Sequence, residues 1–338
     1  MNIIASKEYS DNFKTEAAVV LCSLAHGSID TVSNLVDSGA VSQLMACLSS
    51  QNIKLVEAAY RALRTIFQNS SASPQSIDDQ SIYLLISHLS PTDISKASFR
   101  VSELAAAIIA KLALFPEYQT RLAEAGALFP LISLLESSQS ARLQESALDA
   151  IASLSFNNFH IVSTFMAIKS TRHSKFKIIG PSGHDPVSLI LHLVRSETPS
   201  IKLYACSCLV YMYRSKGLPD VFYSSMSLTV LPTLIKLFNE TEDVFLSTIQ
   251  EKAIRLFSIL VADDELLQKA AMEGDAISQL SDILNRGPSI SVEMKEASLN
   301  DYHIRTNSWN QTEESILLAL GSVTSLLEEN RRHVLVIV

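Results

Sequence analysis

The chain has 338 residues, 47% hydrophobic and 7% aromatic, with 9 Gly, 10 Pro, 4 Cys and a formal net charge of −8. So few glycines leave little material for β-turns or phosphate-cradling loops and favour an all-α class, and the acidic balance argues against nonspecific nucleic-acid binding, which needs dense Lys/Arg facing phosphates. No apolar run approaches the roughly 20 residues that span a bilayer, and Met1–Lys7 shows no secretory signal, so a soluble, intracellular chain is expected, in cytoplasm and nucleus.

In chain order, the pattern opens abruptly with an apolar helix over Phe13–Leu21. A short helix over Thr31–Val36 ends at Ser38-Gly39-Ala40, and a second short apolar helix follows at Val41–Leu48. Then comes a longer, Ala-rich helix over Ile53–Phe67, in which Leu55, Ala59, Ala62, Leu63 and Ile66 fall on one stripe at helical spacing. The short apolar helix returns at Ile82–Leu89, Leu128–Leu135, Val187–Val194, Val230–Leu237 and Ile277–Leu284. The long-helix skeleton returns at Ala105–Leu112, Ala147–Leu154, Ala205–Met212, Ala253–Leu260 and, more weakly, Ala319–Leu326. First helices at Glu117–Glu124 and Glu265–Glu273 are closed by Gly126 and Gly274, as Thr31–Val36 is by Gly39, and each glycine is expected to supply a left-handed residue.

The short apolar helices therefore begin 41, 46, 59, 43 and 47 residues apart. A period of about 40–47 residues with two or three helices per unit is the signature of armadillo or HEAT repeats. The Gly-then-apolar-helix step favours the armadillo form. The expected fold is an all-α, armadillo/HEAT-type right-handed α-solenoid, a single body over residues 1–338 of about six to seven repeats sharing one core. Two stretches break the period and are expected to be inserted loops. Residues 169–186 carry Lys169, Arg172, Lys175 and Lys177, and residues 286–312 contain Gly287-Pro288 and Trp309. At the far end Arg331–Val338 reads as the opening of another first helix, so a truncated product or an incomplete gene model is expected.

No catalytic motif is visible. The chain has no Gly-x-Gly-x-x-Gly, phosphate loop or His-Glu-x-x-His, and Gly180-Pro-Ser-Gly183 has its second Gly one residue too early for a nucleophile elbow. Cys206 and Cys208 lie two apart within a helix, diverge by about 200° and cannot clamp one metal. Together with Cys22 and Cys47 they are expected to be free core thiols. Asp78-Asp79 and Asp263-Asp264-Glu265 precede helices and are expected to cap them. The chain is read as not an enzyme, with no cofactor, metal or small molecule, and no nucleic-acid or membrane partner.

What remains is the concave face that long helices line in such a solenoid. Outward positions four residues apart fall at Arg61/Thr65, Ala107/Lys111, Asp149/Ser153, Ser207/Tyr211, Arg255/Ile259 and Gly321/Ser325. The candidate protein-binding residues are Arg61, Arg64, Lys111, Asp149, Tyr211, Arg214 and Arg255. None of the six pairs holds a Trp or an Asn, the residues that armadillo proteins carrying nuclear-localisation signals place at such pairs. A free-standing adaptor for linear peptides, in transport or signalling, is the alternative function.

Several blocks resemble a known family. Thr15-Glu-Ala-Ala-Val-Val-Leu-Cys-Ser-Leu-Ala-His-Gly27 and Val56-Glu-Ala-Ala-Tyr-Arg-Ala-Leu-Arg-Thr-Ile-Phe67 are similar to the armadillo-repeat-containing protein 8 family, scaffold subunits of the CTLH ubiquitin ligase (GID in yeast). Cys208–Arg214, Val230–Lys236 and Glu265–Ala270 follow in the same order. The resemblance is to the family's N-terminal half. It implies a non-catalytic subunit that docks on the ligase core and holds a substrate receptor, presenting proteins for ubiquitination and proteasomal degradation. The receptor-holding surface resembles the C-terminal half, missing here, and the basic stretch 169–186 stands outside the family pattern.

Overall fold

The computed structural model of the protein describes residues 9–69, 77–91, 95–137, 140–168, 186–239, 248–286 and 299–325, without the side chains of 286 and 299–309. Among the described residues every regular element is helical. The chain forms two compact units, Met1–Pro186 and Val187–Val338.

Unit 1 contains α1 (Asp11–Leu24), α2 (Ile29–Asp37), α3 (Ala40–Cys47), α4 (Ile53–Asn69), α5 (Asp79–Ser87), α6 (Lys96–Leu112), α7 (Pro116–Glu124), α8 (Leu128–Ser137), α9 (Ala141–Ser155) and α10 (Phe159–Ala167). The long helices α1, α4, α6 and α9 pack side by side in that order. The stripe read from the sequence is the packing face: Leu55, Ala59, Ala62, Leu63 and Ile66 are at most 2% exposed. Ala18, Ala59, Ala105 and Ala147 are fully buried where successive long helices meet, since a methyl-sized side chain lets two backbones approach.

Unit 2 repeats the scheme with α11 (Pro186–Leu193), α12 (Pro199–Arg214), α13 (Leu231–Leu237), α14 (Thr248–Val261), α15 (Glu265–Glu273), α16 (Ala276–Arg286) and α17 (Leu299–Thr324). A 3-10 turn, Asp220–Phe222, and a π-helical turn, Met226–Val230, lead into α13. Here α12, α14 and α17 pack in sequence, and Ala205, Ala253 and Ala319 are the buried small residues.

Several helix starts follow the capping rule. Ser28, Asp78, Ser95, Asn158 and Asp264 each accept a backbone N–H three residues on, satisfying a donor that the helix itself leaves free. Asp78 and Asp264 thus cap α5 and α15 as the sequence suggested. Gly39 and Gly126 take φ of +79° and +89° at the turns into α3 and α8. Gly274 does not: its φ is −84°, and Asp275 adopts the left-handed conformation instead, at +60°. Glycine is placed there by proximity, because a Cβ on Gly274 would lie 3.1 Å from Ile235 Cδ1.

The second expected loop needs correcting. Of residues 286–312, Arg286 closes α16 and everything from Leu299 onward is helix, with Thr312 fully buried. No Gly or Pro interrupts residues 299–320, so only Gly287-Pro288 argued for a loop. Residues 287–298 and nearly all of 169–186, including Gly180–Gly183 and the four basic residues, lie outside the described residues; Pro186 begins α11. Cys47, Cys206 and Cys208 are buried thiols, and burial raises the pKa of Cys47 and Cys206. Cys22 is only half-buried, with Sγ 3.5 Å from Thr65 Oγ1 on the neighbouring helix.

Candidate interaction surface

The seven candidate residues fall into two sets, one per unit. In unit 1, Arg61 and Arg64 project from α4, Lys111 from the last turn of α6 and Asp149 from α9. Arg61 is well exposed, its side chain 57% accessible, and its guanidinium lies 2.6 Å from Glu57 one turn back. Arg64, Lys111 and Asp149 are partly exposed. An exposed i,i+4 pair contributes only about 0.3–0.5 kcal/mol, so the Glu57 contact holds Arg61 too weakly to keep it from a partner.

Three of the paired positions behave differently. Thr65, Ser153 and Ser207 are buried rather than outward. Thr65 and Ser207 turn their hydroxyls back to the carbonyls of Arg61 and Leu203. For Thr65 and Ser153, a position four residues on is rotated by about 40°, and in a closely packed layer that suffices to reach the neighbouring helix. Each long helix of unit 1 therefore offers one outward row. That row includes a feature the sequence reading passed over: Glu57, Glu103 and Glu145 each stand two residues before the buried alanine of α4, α6 and α9. Glu103 is held by Arg100 at 2.7 and 2.8 Å. The face of unit 1 is mixed in charge rather than acidic.

In unit 2, Tyr211 is partly exposed on α12 and Arg255 is exposed on α14, 3.3 Å from Glu251. Arg214 is not a free surface cation. Its guanidinium donates to the Ala262 carbonyl and lies 3.6 Å from Asp263 Oδ2, because the last residue of α12 reaches over the carbonyl end of α14, where a cation is favoured. Beside it, the Tyr213 hydroxyl donates to Asp264 Oδ2 at 2.7 Å. Burial, and next the Asp264 carboxylate, hold that phenol well above its usual pKa. Tyr213 and Arg214 bind the α14–α15 corner.

Two buried glutamines do related work. Gln119 of α7 donates to the carbonyls of Ser153, at 3.0 Å, and Phe156, at 3.2 Å, and accepts from Asn158 at 3.2 Å. Gln268, at the matching step of α15, donates to Val261 O at 3.2 Å and to Ser325 Oγ at 2.9 Å. The hydroxyl of buried Tyr60 and His88 Nδ1 share a hydrogen bond of 2.8 Å, a packing role. Unit 2 also has an open hollow of about 660 Å3 along α17, lined by Leu317, Leu318, Gly321 and Ser325 and rimmed by Asp263, Glu313 and Glu314. Among the described residues no group of His, Cys, Asp and Glu could hold a metal ion, and no helix is long and apolar enough to cross a membrane.

No protein-family model matches the chain. Armadillo repeat-containing protein 8 of Mus musculus is 28% identical over 291 residues, covering 86% of this chain and 40% of the mouse protein. The Xenopus laevis protein of the same name is 27% identical over 86% of this chain and 38% of its own length. GID complex subunit 5 of Schizosaccharomyces pombe is 28% identical over 167 residues, 47% of this chain and 20% of that protein. The chain is related to the armadillo repeat-containing protein 8 family. It spans about 40% of the length of these vertebrate relatives. Two designed armadillo repeat proteins agree in fold. One superposes with TM-score 0.54 at 20% identity, covering 76% of this chain and 96% of its own; the other, designed for modular peptide recognition, gives 0.53 at 20% over 79% and 95%. The all-α armadillo fold expected for an armadillo repeat-containing protein 8 relative is thus the observed one.

Proposed function

We propose that the chain is a non-catalytic scaffold or adaptor subunit of a multi-subunit ubiquitin ligase of the CTLH/GID type. In this reading it docks on the ligase core and helps present substrates for ubiquitination and proteasomal degradation. The observation that carries it is the similarity to armadillo repeat-containing protein 8 along 86% of the chain and to GID complex subunit 5 along 47% of it. The partners are subunits of such a ligase, with a substrate receptor among them, in cytoplasm and nucleus. Rows of partly exposed, loosely paired side chains on the long helices suit protein contacts, which draw their energy from a few anchors within a broad surface.

The test is affinity purification of the tagged full chain from its native cells. RING and CTLH-motif subunits should be recovered with it, and their repeated absence would refute the assignment. Charge reversal by Arg61→Glu with Arg255→Glu should lower recovery about tenfold, roughly 1.4 kcal/mol, with the helical signal unchanged. Full recovery would remove these two faces from the interface.

A further inference from the structure

The first long helix of unit 1 carries a second apolar seam that stands half-open to solvent. One side of α1, with Ala18 and Leu21, is buried in the unit, and α4 is the long helix it packs along. Away from that side stand Phe13, Ala17, Val20 and Leu24. Steps of four, three and four residues set them on one line of the helix, the spacing of a helix-to-helix seam. Phe13 is 49% exposed, Val20 56% and Leu24 46%, with Ala17 half-buried among them. Tyr9 stacks on Phe13, ring centroids 5.1 Å apart, and lengthens the seam by a turn. Lys14 and Glu16 flank this line and leave it free of charge.

The seam is complementary to itself. Its large residues, Phe13 and Leu24, lie at the ends, and its small ones, Ala17 and Val20, at the centre. A second α1 turned end for end sets Phe13 against the partner's Leu24 and Ala17 against the partner's Val20, and two-fold symmetry repeats both contacts. Small residues at the crossing let the backbones approach, as the buried alanines do inside the unit. A parallel pairing is disfavoured, because it brings Glu16 level with its own copy and aligns the two helix dipoles. In the antiparallel register the two Glu16 positions are offset by about 7.5 Å along the axis. We propose that two copies of this chain associate through α1 in that antiparallel register. Tyr9 and Val19, 42% and 47% exposed, stand at its margins. An aromatic side chain offers about 150–250 Å2 and an aliphatic one less, so the five half-exposed residues supply about 400 Å2 per copy. The total of about 800 Å2 falls short of the roughly 1,200 Å2 at which stable complexes begin. The pairing is therefore concentration-dependent, with a Kd of about 10–100 μM, and it places two sets of outward rows in one particle. It does not rest on the ligase reading: a chain that stays monomeric can still be a ligase subunit.

Sedimentation velocity on the full chain from about 1 to 300 μM, a range that brackets this Kd, tests it. The dimer fraction should rise through the range. Val20→Glu should leave monomer throughout, and so should Val20→Lys, with the helical signal unchanged because the residue is exposed. An equal mixture of the two variants should associate again, since the two positions 20 lie about 4.5 Å apart along the axis in the antiparallel register. Leu318→Glu, on an exposed face of unit 2, should change nothing. For the register, Phe13→Cys and Leu24→Cys chains, each with Cys22→Ser, are mixed and mildly oxidised; the 13–24 disulfide should exceed the 13–13 and 24–24 products about tenfold. Monomer at the highest concentration, a dimer indifferent to Val20→Glu, no association of the mixed variants, or a dominant 13–13 disulfide would each overturn the proposal.

Discussion

Gln119 tests whether repeat junctions are held by polar clamps or by packing alone. Its side chain is 5% exposed, so water cannot replace the bonds it makes. Gln119→Leu keeps the volume and removes both the amide donor and the acceptor. The Ser153 carbonyl, on a residue that is itself buried, loses its 3.0 Å partner and keeps only the longer bond from the Phe156 N–H at 3.4 Å. A buried acceptor left with one long bond should cost about 1 kcal/mol, the low end for an unsatisfied group. The Phe156 and Asn158 groups are only part-buried, so each should lose about 0.5–1 kcal/mol. The leucine regains part of this through apolar burial, leaving a net loss of about 1–2 kcal/mol. Urea titration followed by circular dichroism should show it, with native-state hydrogen exchange placing it: amides of 153–161 should exchange fastest relative to wild type. A change under about 0.5 kcal/mol, with exchange unaltered at that corner, would refute the clamp.

Further outcomes follow from other contacts. Burial holds the His88 imidazole below its usual pKa, so between that lowered value and about 6.5 the unfolded chain binds more protons. The His88 contribution is therefore complete above about pH 6.5 and is lost as pH falls through that window; His88→Gln should flatten the fall in urea midpoint between pH 7 and pH 5. Arg121→Ala removes bonds from the guanidinium to Asp79, at 2.7 and 3.1 Å, and to the Ile77 carbonyl, at 3.0 Å. Because Asp79 is mostly exposed, the loss should be about 1 kcal/mol in urea titration. Gly39→Ala forces a side chain to φ +79° without any clash, so the loss should match the left-handed backbone term alone, about 1–2 kcal/mol by thermal melting.

The fold was readable because helix packing writes itself into local spacing. Ala59, Ala105, Ala147, Ala205, Ala253 and Ala319 recur with large apolar residues at fixed steps, and all six are buried. Turn chemistry was readable only in part. Gly39 and Gly126 hold the left-handed residue, but Asn157, Lys216, Asp263 and Asp275 also take positive φ, between +52° and +60°. Asn and Asp tolerate that region through local side-chain bonds. Lys216 follows no such rule and had no sequence signal. The stretch after Gly287-Pro288 failed for a related reason: a turn dipeptide marks one point, and it was allowed to colour residues 299–312, which are helix.

The candidate surface was less readable, because outward and available are different properties. Spacing places Arg61 and Arg255 outward, and they are exposed. It equally selected Arg214, and only coordinates reveal that α14 ends within reach of that guanidinium. Long polar side chains at helix ends can bridge 48 residues of sequence, as Arg214 does to Ala262, and no periodicity within one helix records such a partner. The same reasoning separates Gln119 and Gln268 from ordinary surface glutamines. Each sits four residues into a short first helix, opposite the carbonyl end of a long one, where orphaned acceptors accumulate. A polar residue recurring at that step in a helical repeat is therefore better read as a junction bond than as a binding contact. Arg61 and Arg255 differ from Arg214 in standing near the middle of their helices, where the backbone is already paired, and each is held only by an exposed pair one turn back.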